Sequence, residues 1–256
     1  MELNAGLEAQ APNPESRPYE LKPPAIERVV RFWEAGREYA VKHFLRPPTQ
    51  AEWISYDAAL GASVSATEQG IAFEDNRFAA MVALWDKIAL RVEGYELSDG
   101  PFQGQVSAFH KIAAIEPLLR VWVTVPEGPE VGAVYRPGKI SMALRCADHD
   151  FPLTHTLKRP SMPQEIALKR LQSVAMLDPV PLPSGERRTI VPSKLAEHCR
   201  IWDELVESVE GYVLDGQPLS REQAIAAMDA IHKQTALAGL FVQSLPAPSA
   251  KTSGAN

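Results

Sequence analysis

A near-repeat of fourteen residues is the feature that most restricts how this chain can fold. Residues 84–97 read LWDKIALRVEGYEL and residues 201–214 read IWDELVESVEGYVL, with seven identities. Apolar residues around each tryptophan recur at spacings of three and four, which is the pattern of a helix with one core-facing side. Gly94 and Gly211 predict the ends of these helices, because glycine readily adopts the left-handed conformation found at a helix C-terminus.

The similarity of the two halves begins before the repeat. Each copy is preceded by two β-rich runs, typical of a hairpin, and then by a sequence typical of a helix start. Thr49 and Glu52 in the first half form a capping-box sequence, in which each side chain bonds the backbone amide of the other residue. Ser161 and Gln164 form the same sequence in the second half.

The similarity also continues after the repeat. Another helical sequence follows each copy and contains a His-Lys pair, beginning at His110 or His232. The separation between corresponding residues is 112 at the helix starts, 117 at the tryptophans and 122 at these histidines. Each increase falls in a predicted loop, as expected for a duplicated unit that has acquired loop insertions.

These correspondences predict an α+β protein. It consists of two tandem copies of a β-hairpin followed by about three helices, related by a pseudo-twofold axis, with flexible termini. The predicted divisions are a flexible N-terminal arm, a first unit, a linker, a second unit and a flexible tail: residues 1–24, 25–125, 126–138, 139–244 and 245–256. The arm and the tail are rich in proline and small or polar residues without hydrophobic periodicity.

Composition restricts the classes of partner. Of the 256 residues, 45% are hydrophobic and 23% are charged, and the formal net charge is −6. A mildly acidic chain without a basic cluster does not favour nucleic acid or an anionic membrane as a partner. We find no apolar run of transmembrane length and no signal-peptide pattern at the N-terminus. Two cysteines, Cys146 and Cys199, do not make a disulfide framework, so the sequence predicts a cytoplasmic protein.

Residues that could perform chemistry are few. Asp86 and Asp203 follow the repeated tryptophans, but each lies one step off the apolar face, where charged side chains are usually solvated. His110 and His232 have no His or Cys three or four residues away, as paired metal ligands on a helix would. Whether either pair forms a site is left open by the sequence.

No other pattern favours catalysis. The sequence CADHD, residues 146–150, combines possible metal ligands in a predicted hairpin turn but has no second ligand pair. The motifs of nucleophile elbows, phosphate-binding loops and dinucleotide-binding turns are absent from the sequence. We therefore predict a non-enzymatic protein with no catalytic residue, no metal and no cofactor. The alternative is a small-ligand binder or enzyme with a site between the two halves.

Aromatic residues concentrate in the first hairpin and in the helix that follows it. Trp33, Tyr39, Phe44 and Trp53 lie within this segment. Because aromatic residues are enriched at protein interfaces, the cluster predicts a contact surface for a protein partner. The alternative is that these side chains fill the core between the hairpin and the helix. The sequence does not determine the oligomeric state.

Residues 39–57, YAVKHFLRPPTQAEWISYD, resemble tail assembly chaperones of tailed bacteriophages and related prophage elements, and the resemblance covers each half separately, from about residue 27 and again from about residue 140. The quoted residues are a strand that ends in Arg-Pro-Pro-Thr and a helix that opens with Glu-Trp. The resemblance implies a protein that binds the tape-measure protein and keeps it soluble until tube subunits assemble around it. The implied partner-binding residues are Arg46, Thr49, Glu52 and Trp53. The alternative within the same setting is a virion structural component, such as a connector or minor tail protein.

Overall fold

The structure is a computed structural model. It describes residues 17–34, 36–60, 63–67, 70–74, 76–124, 138–147, 149–172, 180–181, 187–190 and 194–242. The predicted C-terminal tail lies outside the described residues, as does the predicted linker except for Gly138.

The described part of the first half contains three α-helices and seven strands. In chain order these are β1 Tyr19–Glu20, β2 Ile26–Glu34, β3 Arg37–Leu45, α1 Gln50–Ala59, β4 Ser63–Thr67, β5 Gly70–Glu74, α2 Arg77–Ile88, β6 Ala89–Glu93, α3 Ala108–Leu119 and β7 Val121–Thr124. A short 3-10 helix, Phe102–Gly104, precedes α3.

The second half follows a similar order. Its elements are β8 Lys139–Cys146, β9 His149–Lys158, α4 Met162–Gln172, β10 Val180–Pro181, β11 Arg187–Ile190, α5 Leu195–Leu205, β12 Val206–Glu210, β13 Tyr212–Leu214, β14 Gln217–Pro218, α6 Arg221–Ala227 and α7 Ala230–Val242. The predicted α+β class is confirmed. Among the described residues, no helix combines the length and the apolar character needed to cross a bilayer.

Each repeated segment is a helix that changes directly into a strand. Helix α2 ends at Ile88 and α5 ends at Leu205, and the next residue in each case begins β6 or β12. Gly94 and Gly211 come after these strands, so the prediction that they end helices is wrong. Both have φ near +86°, which glycine adopts without steric cost.

The main sheets of the two halves share an antiparallel arrangement. The strand order is β2-β3-β6 in the first sheet and β12-β9-β8-β7 in the second. Strand β6 pairs with β3 as β12 pairs with β9, so each repeated segment is tied to the second strand of its hairpin. The fourth strand of the second sheet, β7, comes from the first half of the chain. A further sheet, β10-β11-β4-β5, also joins strands of both halves.

Residues 19–21 lie in the predicted flexible arm but have a defined position in the structure. Strand β1 pairs in parallel with β13, with Tyr19 opposite Tyr212. Leu21 is buried in the core of the second half. The sequence placed these residues in a flexible arm, because a two-residue strand has no periodicity and gains its order from a distant part of the chain.

Helix α1 of the first half contacts the second half, but the corresponding contact of α4 with the first half is not among the principal contacts of the described residues. Helix α1 packs against α2 of its own half and also against α5 and α7 of the second half. The corresponding packing of α4 against α2 and α3 is not among the principal contacts of the described residues. A twofold axis would place both helices in the same surroundings. The principal contacts of the described residues therefore do not support the predicted pseudo-twofold relation.

Candidate functional site

The repeated residues of the first half meet in a chain of hydrogen bonds. Trp85 Nε1 donates to His43 Nδ1 at 3.0 Å. His43 Nε2 lies 2.9 Å from Tyr95 Oη, which lies 3.0 Å from His110 Nδ1. An indole N–H can only donate, so the order of the bonds assigns every proton. His43 accepts at Nδ1 and donates from Nε2 to the tyrosine, which in turn donates to His110.

The second half contains the corresponding chain. Trp202 Nε1 donates to His155 Nδ1 at 3.1 Å, and His155 Nε2 lies 2.7 Å from Tyr212 Oη. Tyr212 Oη lies 2.9 Å from His232 Nδ1, and His232 Nε2 lies 3.6 Å from Cys146 Sγ. The same proton order follows, and the thiol is the last acceptor. We refer to the first-half and second-half chains as the Trp85 network and the Trp202 network.

Sequence reasoning missed one member of each network. His43 and His155 lie on the second strand of their hairpins, 112 residues apart. This separation equals that between Thr49 and Ser161, so alignment of the hairpins could have identified the two histidines as equivalent. Their contact with the tryptophans joins β3 to α2 and β9 to α5, which no local pattern encodes.

A buried lysine accompanies each network. Lys111 Nζ lies 2.7 Å from Asp86 Oδ1, and Lys233 Nζ lies 2.7 Å from Asp203 Oδ1. Each ammonium also donates to a backbone carbonyl and lies about 5 Å above the ring of its tryptophan. A buried ammonium requires such partners, because desolvation of an unpaired charge is costly. The two aspartates pair with buried lysines and still contact solvent, with 40% of the Asp86 side chain and 30% of the Asp203 side chain exposed.

Burial keeps the imidazoles and phenols uncharged. It lowers the pKa of His43 and of His232 to about 4, and it lowers the pKa of His155 well below its usual value. Burial also raises the pKa of Tyr95 to about 12. A base with a pKa near 4 is poorly matched to proton transfer at neutral pH. Within the described residues, both networks are therefore suited to holding structure in place.

The cysteine and metal candidates have the following surroundings. Burial raises the pKa of the Cys199 thiol to about 11, so the nucleophilic thiolate is disfavoured at neutral pH. Asp148 of the CADHD sequence lies outside the described residues. In the part of the chain that the structure describes, no group of three His, Cys, Asp or Glu side chains could hold a metal ion.

The four predicted partner-binding residues connect α1 to its surroundings. Arg46 and Glu52 form a bidentate ion pair with N–O distances of 2.8 and 2.5 Å, and this pairing lowers the pKa of Glu52 to about 2. Glu52 and Thr49 also complete the predicted capping box. Trp53 is only 2% exposed, and its Nε1 lies 3.4 Å from Asp229 Oδ1 of the second half. Trp53 belongs to the core, and no observation tests partner binding by the set.

A cavity of about 220 Å³ lies where the halves meet. Arg28, Trp53, His149, Asp229 and His232 are among the residues that line it. Burial raises the pKa of Asp229 to about 7. The cavity has room and polar partners for several water molecules.

Comparisons with known proteins identify no relative, since no protein-family model, curated protein or solved structure matches the chain. The resemblance to tail assembly chaperones consequently stays a prediction from the sequence.

Proposed function

We propose that this protein is a non-enzymatic assembly module, which binds an extended segment of a protein partner along the open edge of strand β2. The observation that carries the proposal is a difference between the two sheets. The first strand of the second hairpin, β8, pairs with a strand on each side, namely β9 and β7. The first strand of the first hairpin, β2, pairs only with β3 and is the end strand of its sheet in the described part of the chain. An open edge presents unpaired backbone groups to which another strand can add.

The comparison of the edges rests on a tandem duplication, which forms part of the proposal. The support is that residues in corresponding positions make corresponding contacts. Each half has a Trp-His-Tyr-His network and a Lys-Asp pair beside it. The lysines donate to Gln103 O and Ile225 O, which are separated by 122 residues, as are the lysines themselves. Coincidence of so many specific contacts in unrelated halves is improbable.

Strand β7 covers one edge of β8, and the corresponding edge of β2 can be located. Strand β7 pairs antiparallel with residues 143–146 of β8. The strand registers locate these residues on β2. Ala143 and Leu144 lie opposite Thr154 and Leu153, whose counterparts Lys42 and Val41 lie opposite Val29 and Val30, while Cys146 and Glu34 each pair with the first residue after the turn. A partner strand that takes the place of β7 would therefore add beside residues 29–34, toward the turn of the first hairpin.

The exposed side chains at this edge are more apolar in the first half than in the second, as a binding edge requires. Trp33 is 73% exposed, and Val29 on the same face is also exposed. Through the strand registers Val29 corresponds to Ala143, and Arg145 stands 112 residues after Trp33. An exposed tryptophan and valine beside an open strand offer more apolar contact to an added strand than an arginine and an alanine.

The neutral networks support a non-enzymatic role. Their histidines and tyrosines are joined to one another, and the repeated residues that could carry acid–base chemistry are the ones that these bonds occupy. A more specific proposal, that the partner is a tape-measure-like protein of a phage or prophage tail, rests on the resemblance of residues 39–57.

The test replaces the two apolar edge residues by polar ones. We expect Val29→Ser with Trp33→Arg to abolish co-purification of the partner after co-expression with the proteins encoded beside this gene, while the melting temperature changes little. Trp122→Arg, which changes an exposed tryptophan on β7, is the control and should retain the partner. Retention of the same partner by the Val29→Ser, Trp33→Arg variant would contradict the proposal.

A further inference from the structure

We propose that copies of this chain associate head to tail, with α4 of one copy docking across the N-terminal ends of α2 and α3 of the next. The interface between the two halves of one chain is the template. This surface lies on helices and is separate from the outer face of the first hairpin, so the inference does not depend on the proposed partner, although it rests on the tandem duplication proposed above.

The template interface is made by one face of α1. Its residues 50, 53 and 57 lie on that face, since their spacings are three and four. Three hydrogen bonds join it to the second half: Lys233 Nζ to Gln50 Oε1 at 3.2 Å, Trp53 Nε1 to Asp229 Oδ1 at 3.4 Å, and Leu195 N to Asp57 Oδ2 at 3.3 Å. The face therefore covers the N-terminal ends of α5 and α7.

The corresponding ends of α2 and α3 are uncovered. Leu195 at the start of α5 is fully buried, whereas its counterpart Phe78 at the start of α2 is 58% exposed. Ile231 in the first turn of α7 packs against the core that contains α1, whereas its counterpart Phe109 is 82% exposed. Each phenylalanine at the start of its helix presents an apolar surface that water solvates unfavourably. We call this surface the Phe78–Phe109 face.

Helix α4 has an uncovered face at the positions that α1 uses. Met162 and Glu165 correspond to Gln50 and Trp53. Met162 is 74% exposed, and Ile166, next to this face, is exposed where its counterpart Ile54 packs against the core. Met is a common residue of adaptable binding surfaces because it is flexible and polarisable. We call this surface the Met162 face.

The counterparts of the two faces are already joined within the chain, and both faces expose apolar side chains. The occupant of the Phe78–Phe109 face is therefore a second copy of this chain, which carries the Met162 face. None of the three polar contacts is preserved, because Met162, Glu165 and Lys169 stand where α1 has Gln50, Trp53 and Asp57, so apolar contact by Met162 and Ile166 holds the interface. The two faces are different, so this contact is heterologous and extends into a ring or an open chain.

Sedimentation velocity over a concentration series tests the inference with two variants of the full chain. Phe109→Asp disrupts the receiving face, and Met162→Glu disrupts the docking face. Both side chains are exposed, and an acidic residue in the first turn of a helix is favourable, so both variants should fold. We expect the wild-type chain to form species larger than a dimer as its concentration rises, and each variant alone to stay monomeric.

An equimolar mixture of the variants gives the discriminating result. Each variant keeps the face that the other has lost, so the mixture should form a one-to-one dimer and nothing larger. A wild-type chain that stays monomeric, a variant that assembles as the wild type does, or a mixture without dimer would each overturn the inference. Trp122→Asp serves as the control and should assemble as the wild type does. The Val29→Ser, Trp33→Arg variant should also assemble, so loss of partner binding and loss of assembly are separable.

Discussion

Replacing Gly211 by alanine is expected to lower the free energy of unfolding by about 3 kcal/mol or more. The backbone there has a φ of +86°, which costs an L-residue roughly 1–2 kcal/mol. A Cβ atom would also lie 2.3 Å from the carbonyl oxygen of Pro152 on β9, far inside van der Waals contact. Relief of that overlap requires backbone movement, which costs on the order of 1–3 kcal/mol. Urea unfolding followed by circular dichroism measures the loss.

Two other glycines provide matched controls. Gly94, the counterpart of Gly211, has the same φ, but its added Cβ would lie 3.3 Å from Ala40 O, so Gly94→Ala should have an intermediate effect. Gly216 has a φ of +72° and nothing within 4 Å of its added Cβ, so Gly216→Ala should cost only about 1 kcal/mol. Equal effects at all three positions would show that the close approach to β9 does not determine the cost.

Removing the hydroxyl of Tyr212 is expected to lower the free energy of unfolding by about 2–4 kcal/mol. Tyr212→Phe keeps the buried ring but leaves the Nε2 hydrogen of His155 and the Nδ1 acceptor of His232 without their partner. All three side chains are buried, and each buried polar group left unsatisfied costs about 1–3 kcal/mol. Thermal and urea unfolding of the variant measure the effect.

The control is the same substitution in the Trp85 network. Tyr95 and His110 are only partly buried, so water can replace the lost hydroxyl, and Tyr95→Phe should cost about 1 kcal/mol. If Tyr212→Phe were as mild as Tyr95→Phe, the Trp202 network would not contribute as its burial predicts.

Local chemistry made the helix starts predictable. The Thr49–Glu52 capping box depends on side chains three residues apart, and the structure shows both of its hydrogen bonds. The change from α2 to β6 after Ile88 was not predictable in the same way. Residues 89–93 read ALRVE, which continues a helical composition, and they become a strand because β3 lies beside them. Tertiary pairing here outweighs local preference.

The candidate site shows the same limit. The tryptophans, tyrosines and histidines of both networks could be found by their repetition, but their contacts depend on strands that are distant in sequence. Trp53 shows a related limit. An aromatic residue near a helix start suggested either a contact surface or a core position, and the second half of the chain covers Trp53. The sequence of a helix alone does not determine which of its faces contacts another part of the chain.

In both networks uncharged tryptophan, histidine and tyrosine side chains join the hairpins to the helices. The proposed function depends on where the two halves differ: within the described residues, the first hairpin has an apolar open edge, and exposed phenylalanines lie at the helix starts of the first half. The central claim is that the repeated residues form closed, uncharged networks rather than ionisable sites.

Long-range proton–nitrogen correlation spectra of the histidine side chains test this claim most directly. The structure predicts that His43, His110, His155 and His232 are neutral at about pH 6.5, each with its proton on Nε2 and with Nδ1 as an acceptor. Since the pKa values of His43 and His232 are lowered to about 4, neither should take up a proton as the pH falls from 7 to about 5.5. Protonation of either histidine near its ordinary pKa of 6.5, or a proton on Nδ1, would contradict the account.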